Sequence, residues 1–155
     1  LMAGQLAGLV LLGQFQTFFY LVVGFAAGAH FEAGIGGILV LSALVSIIPI
    51  GFGGLGLIMA LRTGSGEAVQ GMFPLMFVLL FFSSMTLPRN LIEQDWFRHL
   101  ATINPISYLI EAIRSLFISG WDPEALALGF GVAIVLAVVS ITFAAFSLKG
   151  RMLAS

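Results

Sequence analysis

An all-α integral membrane protein is the fold class that three features of this sequence predict. Hydrophobic residues make up 60% of the 155-residue chain and charged residues 8%, against about 45–50% and about 25% in ordinary soluble domains. Four apolar stretches, residues 6–28, 35–61, 71–87 and 125–148, each read as a membrane crossing. The segment 89–119 breaks this pattern and holds Arg89, Glu93, Asp95, Arg98, Glu111 and Arg114, out of 6 Lys/Arg and 7 Asp/Glu in the chain.

Residues 6–28 are long enough, at about 1.5 Å per residue, to cross a hydrocarbon core of about 30 Å. Gln14, Gln16 and Thr17 lie near the middle of this span, where a lipid-facing amide is costly. They are therefore assigned to helix contacts or to a translocation path, for which they are candidates together with Ser83 and Ser84. A turn at 29–33 contains His30 and Glu32, too few ligands for a metal site.

The second span, 35–61, contains Pro49 followed by Gly51, Gly53, Gly54 and Gly56. Proline removes a helix hydrogen bond and glycine weakens the same ladder, so a kink or local unwinding is expected there. Pro49, Gly51, Gly53 and Gly54 are candidate hinge residues, with passive close packing as the alternative. The loop 62–70, RTGSGEAVQ, lacks the Gly-Lys-Ser/Thr of a phosphate-binding loop and reads as a flexible connection. The third span, 71–87, carries Pro74 in its first turn and Ser83, Ser84 and Thr86 at its far end.

Two short amphipathic helices are expected in 89–119. In 90–100 the apolar residues Ile92, Trp96, Phe97 and Leu100 recur at helical spacing among Glu93, Gln94, Asp95, Arg98 and His99. In 105–119 a polar stripe of Ser107, Glu111, Arg114 and Ser115 marks one face of an otherwise apolar helix. Asn104-Pro105 is its start signal: asparagine caps, and proline loses nothing at the first helical position. Glu111 and Arg114, three residues apart, are expected to pair with each other. Residues 121–124, WDPE, mark the start of the last span, 125–148, which Lys149 and Arg151 follow.

Ser83 and Ser84 at a membrane-helix end, Pro88, the Trp96 segment, Asn104-Pro105-Ile106-Ser107-Tyr108 and Glu111-Ala112-Ile113-Arg114 together resemble the C-terminal signature of ABC-2 type transporter permeases, close to their drug-efflux, daunorubicin-resistance-like branch. Met85 stands where that family often has glycine. The resemblance implies that 1–155 is one ABC-2 transmembrane domain truncated at its N-terminus. It further implies four spans, with 89–119 as a re-entrant pair on the outer side between the third and fourth. Pro88, Trp96, Asn104, Pro105, Tyr108, Glu111 and Arg114 then shape an outer gate.

By the same resemblance, the chain would be a subunit of an ATP-driven exporter in the cytoplasmic membrane of a prokaryote. A separate cytoplasmic ATPase subunit would bind ATP and Mg, a second permease copy would complete the pathway, and the permease itself would bind no cofactor. A hydrophobic or amphipathic drug-like compound is the implied cargo, with polysaccharide or lipid as the alternative. The net charge of -1 gives nucleic acid no basic face, and the absence of cysteine rules out disulfides and thiolate chemistry. An intramembrane serine enzyme would need a histidine at membrane depth, yet His30 and His99 fall in a turn and an interfacial segment. The cluster Glu93, Asp95, Arg98 and His99 reads as the wet face of that segment rather than a metal or acid–base site.

Lys149 and Arg151 place the C-terminus inside, and four spans then put Arg62 inside and the 29–33 turn outside. Arg89, Arg98 and Arg114 balance the count on the outer side, so it is the resemblance that decides the orientation. In single-cysteine variants, Asp95→Cys and Trp121→Cys should react with an impermeant thiol reagent from outside and Thr63→Cys should not. Labelling of positions 95 and 121 from opposite faces would exclude a re-entrant pair.

Overall fold

The computed structural model describes residues 2–152, and among these every regular element is helical. In chain order they are α1 (Met2–Ala26), α2 (Gly34–Thr63), α3 (Gly66–Gln70), α4 (Met72–Phe81), a single 3-10 turn (Arg89–Leu91), α5 (Asp95–Ile103), α6 (Pro105–Ile118) and α7 (Pro123–Met152). Among the described residues, three stretches are long and apolar enough to cross a membrane: Gly4–Ala26, Gly34–Thr63 and Pro123–Ser147. The side chains of Lys149 and Arg151, on which the orientation argument leans, lie outside the described residues.

The expected third span, 71–87, is shorter than the sequence suggested. Its helix, α4, has 10 residues, about 15 Å at 1.5 Å per residue. Gly71 carries the helical direction over from α3, its N–H donating to Glu67 O at 2.9 Å. Beyond Phe81 the chain turns instead of continuing, because its serines divert the backbone. Ser83 Oγ donates to Leu80 O, and Ser84 N donates to Ser107 Oγ of α6 at 3.0 Å. The first amphipathic helix is also displaced: it starts at Asp95, not near residue 90, after the 3-10 turn and an extended Ile92 and Gln94.

α2 runs unbroken through Pro49, so the local unwinding expected there is absent. Its glycines are occupied by neighbours on two sides. A Cβ on Gly51 would come within 3.1 Å of Leu136 Cβ, and one on Gly54 within 2.6 Å of Ser140 Oγ, both on α7. Gly53 faces Leu9 of α1, and Pro49 packs opposite Gly13. Close approach, which lets dispersion attraction accumulate between helices, is therefore what these small residues provide.

The core lies where α2, α6 and α7 meet, with Leu41, Leu44, Leu109, Ala112, Leu116 and Ala133 buried. α1 adds to α2 through Gln14, whose Nε2 donates to Ser42 O and Ser46 Oγ at 2.7 Å each, while Ser42 Oγ donates back at 2.8 Å. Outward faces carry exposed Phe15, Phe18, Tyr20, Phe77, Val135 and Phe146. Such a surface suits hydrocarbon rather than water, as a multi-pass membrane protein requires.

The α1–α2 turn, the end of α6 and the start of α7 share one end of the molecule. Ala33 N donates to Leu116 O at 3.0 Å, and the Phe31 and Phe117 rings meet edge-on at 4.7 Å. Gly120, at φ 78°, makes the reversal from α6 to α7 directly against Glu32 O. Arg62 stands at the far end of the 30-residue α2, about 45 Å away at 1.5 Å per residue.

Gly129 faces Ala112 and Tyr108 O of α6, with a Cβ there only 2.3 Å from Ala112 Cβ, while Gly131 on the same helix faces open space. Gly129→Ala should therefore destabilise the protein by about 1–3 kcal/mol. Gly131→Ala should be neutral or slightly stabilising, as alanine is the better helix former. Thermal unfolding in detergent would compare them, and equal melting temperatures would disprove the close α6–α7 contact.

Candidate functional site

α6 begins as its sequence dictates. Asn104 Oδ1 accepts from Ile106 N at 3.0 Å, and Pro105 sits at the first helical position. The Asn104 amide also reaches across to α4 and donates to Leu79 O. One residue thus caps one helix and holds the end of another.

Further polar contacts continue up the same face of α6 at helical spacing. Ser107 Oγ accepts from Ser84 N, and Ser84 Oγ donates to Ser107 O at 3.1 Å. Tyr108 donates to Thr102 O at 2.8 Å, and its ring lies 4.0 Å from the Arg89 guanidinium carbon. Glu111 accepts from Arg89 Nη2 at 2.7 Å, from Nε at 2.9 Å and from the Arg89 backbone N–H at 3.2 Å. Arg114 Nη2 donates to Ser84 O at 2.6 Å and to Met85 O at 2.8 Å. The result is a latch that binds the segment following α4 along the length of α6.

Glu111 and Arg114 do not pair with each other, contrary to the sequence expectation. Carbonyls in the non-helical segment after α4 lack helical donors, and a half-buried carbonyl without one is costly. Arg114 supplies that donor, while Glu111 receives the forked hydrogen bonds of Arg89, a stronger arrangement than a pair along one helix. Glu111 lies outside the three long apolar helices. Burial opposes its charge, but the hydrogen bonds from Arg89 outweigh burial and hold its carboxyl below the ordinary value. The same hydrogen bonds raise Arg89 above its ordinary value.

The remaining sequence candidates are dispersed. Pro88 precedes the 3-10 turn, where Leu91 N donates to Pro88 O at 2.9 Å. Trp96 is exposed and meets Phe97 edge-on at 5.6 Å. Gln14 lies in the α1–α2 seam with half-buried Thr17 one turn on, whereas Gln16 is exposed on another face. Ser83 and Ser84 are buried in the latch. In the polar cluster of α5, Arg98 donates to Ile92 O through Nε at 2.8 Å and forms an exposed pair with Asp95 at 3.4 Å.

Arg89 is the latch residue that sequence reasoning missed. It lies 22 positions from Glu111, beyond any helical periodicity. Its signal in the sequence was its position directly after Pro88, at the exit of an apolar run.

Beside the latch, α2, α4 and α6 enclose an apolar groove of about 360 Å³, lined by Ile48, Phe52, Phe73, Phe77, Leu80 and Ile110. α4 itself has no fully buried residue. Its attachment therefore depends on hydrogen bonds at its end more than on burial.

Residues 1–118, from α1 through α6, match the profile of the ABC-2 type transporter family. The chain belongs to that family, and is therefore a multi-pass membrane component of a transporter. No curated protein and no solved structure matches it.

A double-mutant cycle of Arg89→Ala and Glu111→Gln should give a coupling of about 1–3 kcal/mol, the range for hydrogen bonds to charged groups. These side chains are 21% and 17% exposed, whereas Asp95 of the α5 pair is 93% exposed. The Asp95→Asn and Arg98→Gln cycle should couple by less than about 1 kcal/mol. Unfolding in detergent measures both, and equal couplings would rule out the latch as a distinct stabilising element.

Proposed function

We propose that this chain is the permease subunit of an ATP-driven exporter that moves a hydrophobic or amphipathic compound outward across the cytoplasmic membrane of a prokaryote. Family membership supports a transporter membrane component, and such components normally work as dimers with an ATPase partner. The energy would come from ATP and Mg bound on that separate subunit. The observation favouring apolar cargo is the α2–α4–α6 groove, whose lining includes Phe52, Phe73, Met76, Phe77 and Ile110. A sugar polymer would want hydroxyl and amide partners along its path, whereas drug-like ligands suit apolar pockets of about 300–1,000 Å³.

The latch gives the groove a mechanism. α4 forms one wall and is fastened at its outer end by Asn104, Ser107, Glu111 and Arg114 of α6. α2, α6 and α7 form the closely packed body against which it stands. Movement of α4 relative to that body would open or close the groove while leaving the small-residue seam intact. Elements held by few buried contacts are the ones from which moving parts are drawn.

The test is co-purification with a cytoplasmic ATPase and measurement of hydrolysis as amphipathic drugs are added. Stimulation by drug is expected, and Phe77→Ala should raise the concentration giving half-maximal stimulation by about fivefold or more, as loss of an aromatic contact implies. Hydrolysis that responds to lipid or polysaccharide precursors but not to drugs would reassign the cargo. Absence of any ATPase partner would overturn the exporter mechanism.

A further inference from the structure

A polar cleft of about 640 Å³ opens at the end of the molecule that holds the α6–α7 turn, with α5 and α6 on one side and the start of α7 on the other. Charges of both signs line it. Arg89 and Glu111 neutralise each other at 2.7 Å, and Arg98 pairs with Asp95. Arg114 on the α6 wall and Asp122 and Glu124 on the α7 wall remain, none within 4.0 Å of an opposite charge among the described residues.

Asp122 and Glu124 have binding capacity left, and Arg114 keeps a charge that no carboxylate offsets. Arg114 uses Nη2 on two carbonyls, while Nη1 is buried without an acceptor. Asp122 Oδ1 accepts from the Glu124 and Ala125 backbone N–H groups at 3.1 Å each, leaving its second oxygen to another donor. Glu124 is exposed in the first turn of α7. Ile118, which lines the cleft, is apolar and 69% exposed. Trp121, in the α6–α7 turn at the same end, lies against Gly36 of α2 and is 57% exposed, as suits a membrane–water interface.

We propose that this cleft binds the headgroup of a phospholipid that carries a phosphate and a primary ammonium. The phosphate faces Arg114, the ammonium donates to Asp122 and Glu124, and the acyl chains lie over Ile118. A purely anionic headgroup would leave the α7 carboxylates facing like charge, and a simple cation would leave Arg114 unmatched. A quaternary ammonium has the charge but no N–H to donate. Only a dipolar group with N–H donors satisfies both walls. The inference requires that the chain sit in a bilayer, not that it export anything, so its failure would leave the proposed transport function standing.

Native mass spectrometry of the purified protein, exchanged against phosphatidylethanolamine, phosphatidylglycerol and phosphatidylcholine, provides the test. Phosphatidylethanolamine should be retained about fivefold or more over the other two, an effect in keeping with charge-assisted hydrogen bonds. Glu124→Gln should abolish that preference. Glu93→Gln, an exposed substitution on the chain before α5, should leave it unchanged. Because Arg114 also fastens the latch, its variant is a poor first choice, and exposed Glu124 reports on the cleft without disturbing that contact. Equal retention of the three lipids, or a preference that survives Glu124→Gln, would overturn the proposal. So would displacement of the lipid by millimolar O-phosphoethanolamine, which would assign the cleft to a soluble zwitterion.

Discussion

The carbonyls at the end of α4 impose the constraint on which this architecture depends. A helix that stops inside a membrane protein leaves its last C=O groups without helical donors, and hydrocarbon offers none. Here Asn104, the cap of α6, donates to Leu79 O of α4, and in the segment that follows Arg114 donates to Ser84 O and Met85 O while Ser107 Oγ accepts from Ser84 N. The Arg89–Glu111 fork then fixes the segment beyond them. A polar stripe on an apolar helix would be costly if it faced lipid. It becomes affordable because nearly every polar group on it meets a partner from a chain end that also needs one.

This arrangement divides the molecule into a body and an attachment. In the body, glycine, alanine and serine let α2 and α7 approach closely, and the buried Leu44, Leu116 and Ala112 join α6 to them. Close packing of that kind resists deformation, since a small shift of either helix loses many contacts at once. α4, with no fully buried residue, depends on a few directional bonds that can be broken one at a time. The proposed transport function makes use of this contrast, placing the movable wall of the groove at a helix with no fully buried residue.

Much of the site was legible locally and little of it at a distance. Asn104-Pro105 announced the start of α6, and the spacing of Ser107, Glu111 and Arg114 announced its polar face, because both follow from the geometry of one helix. Their partners did not follow. Glu111 was matched to Arg114 because helical periodicity sees only residues three and four apart, whereas Arg89 arrives from another segment. Local unwinding was expected at Pro49–Gly54 for a similar reason. Propensity registers a weakened helix, but not the α1 and α7 side chains that fill the space beside each glycine.

The sequence by itself determined that this chain lives in a membrane, that it is helical, and where its long apolar helices and the start of α6 lie. Composition and periodicity carry that information, since each concerns a single segment and its solvent. The tertiary structure decided where α4 ends, which charge meets which, and what packs against the small residues of α2. Those outcomes rest on contacts between segments tens of residues apart, and only the folded chain brings them within hydrogen-bonding or van der Waals distance.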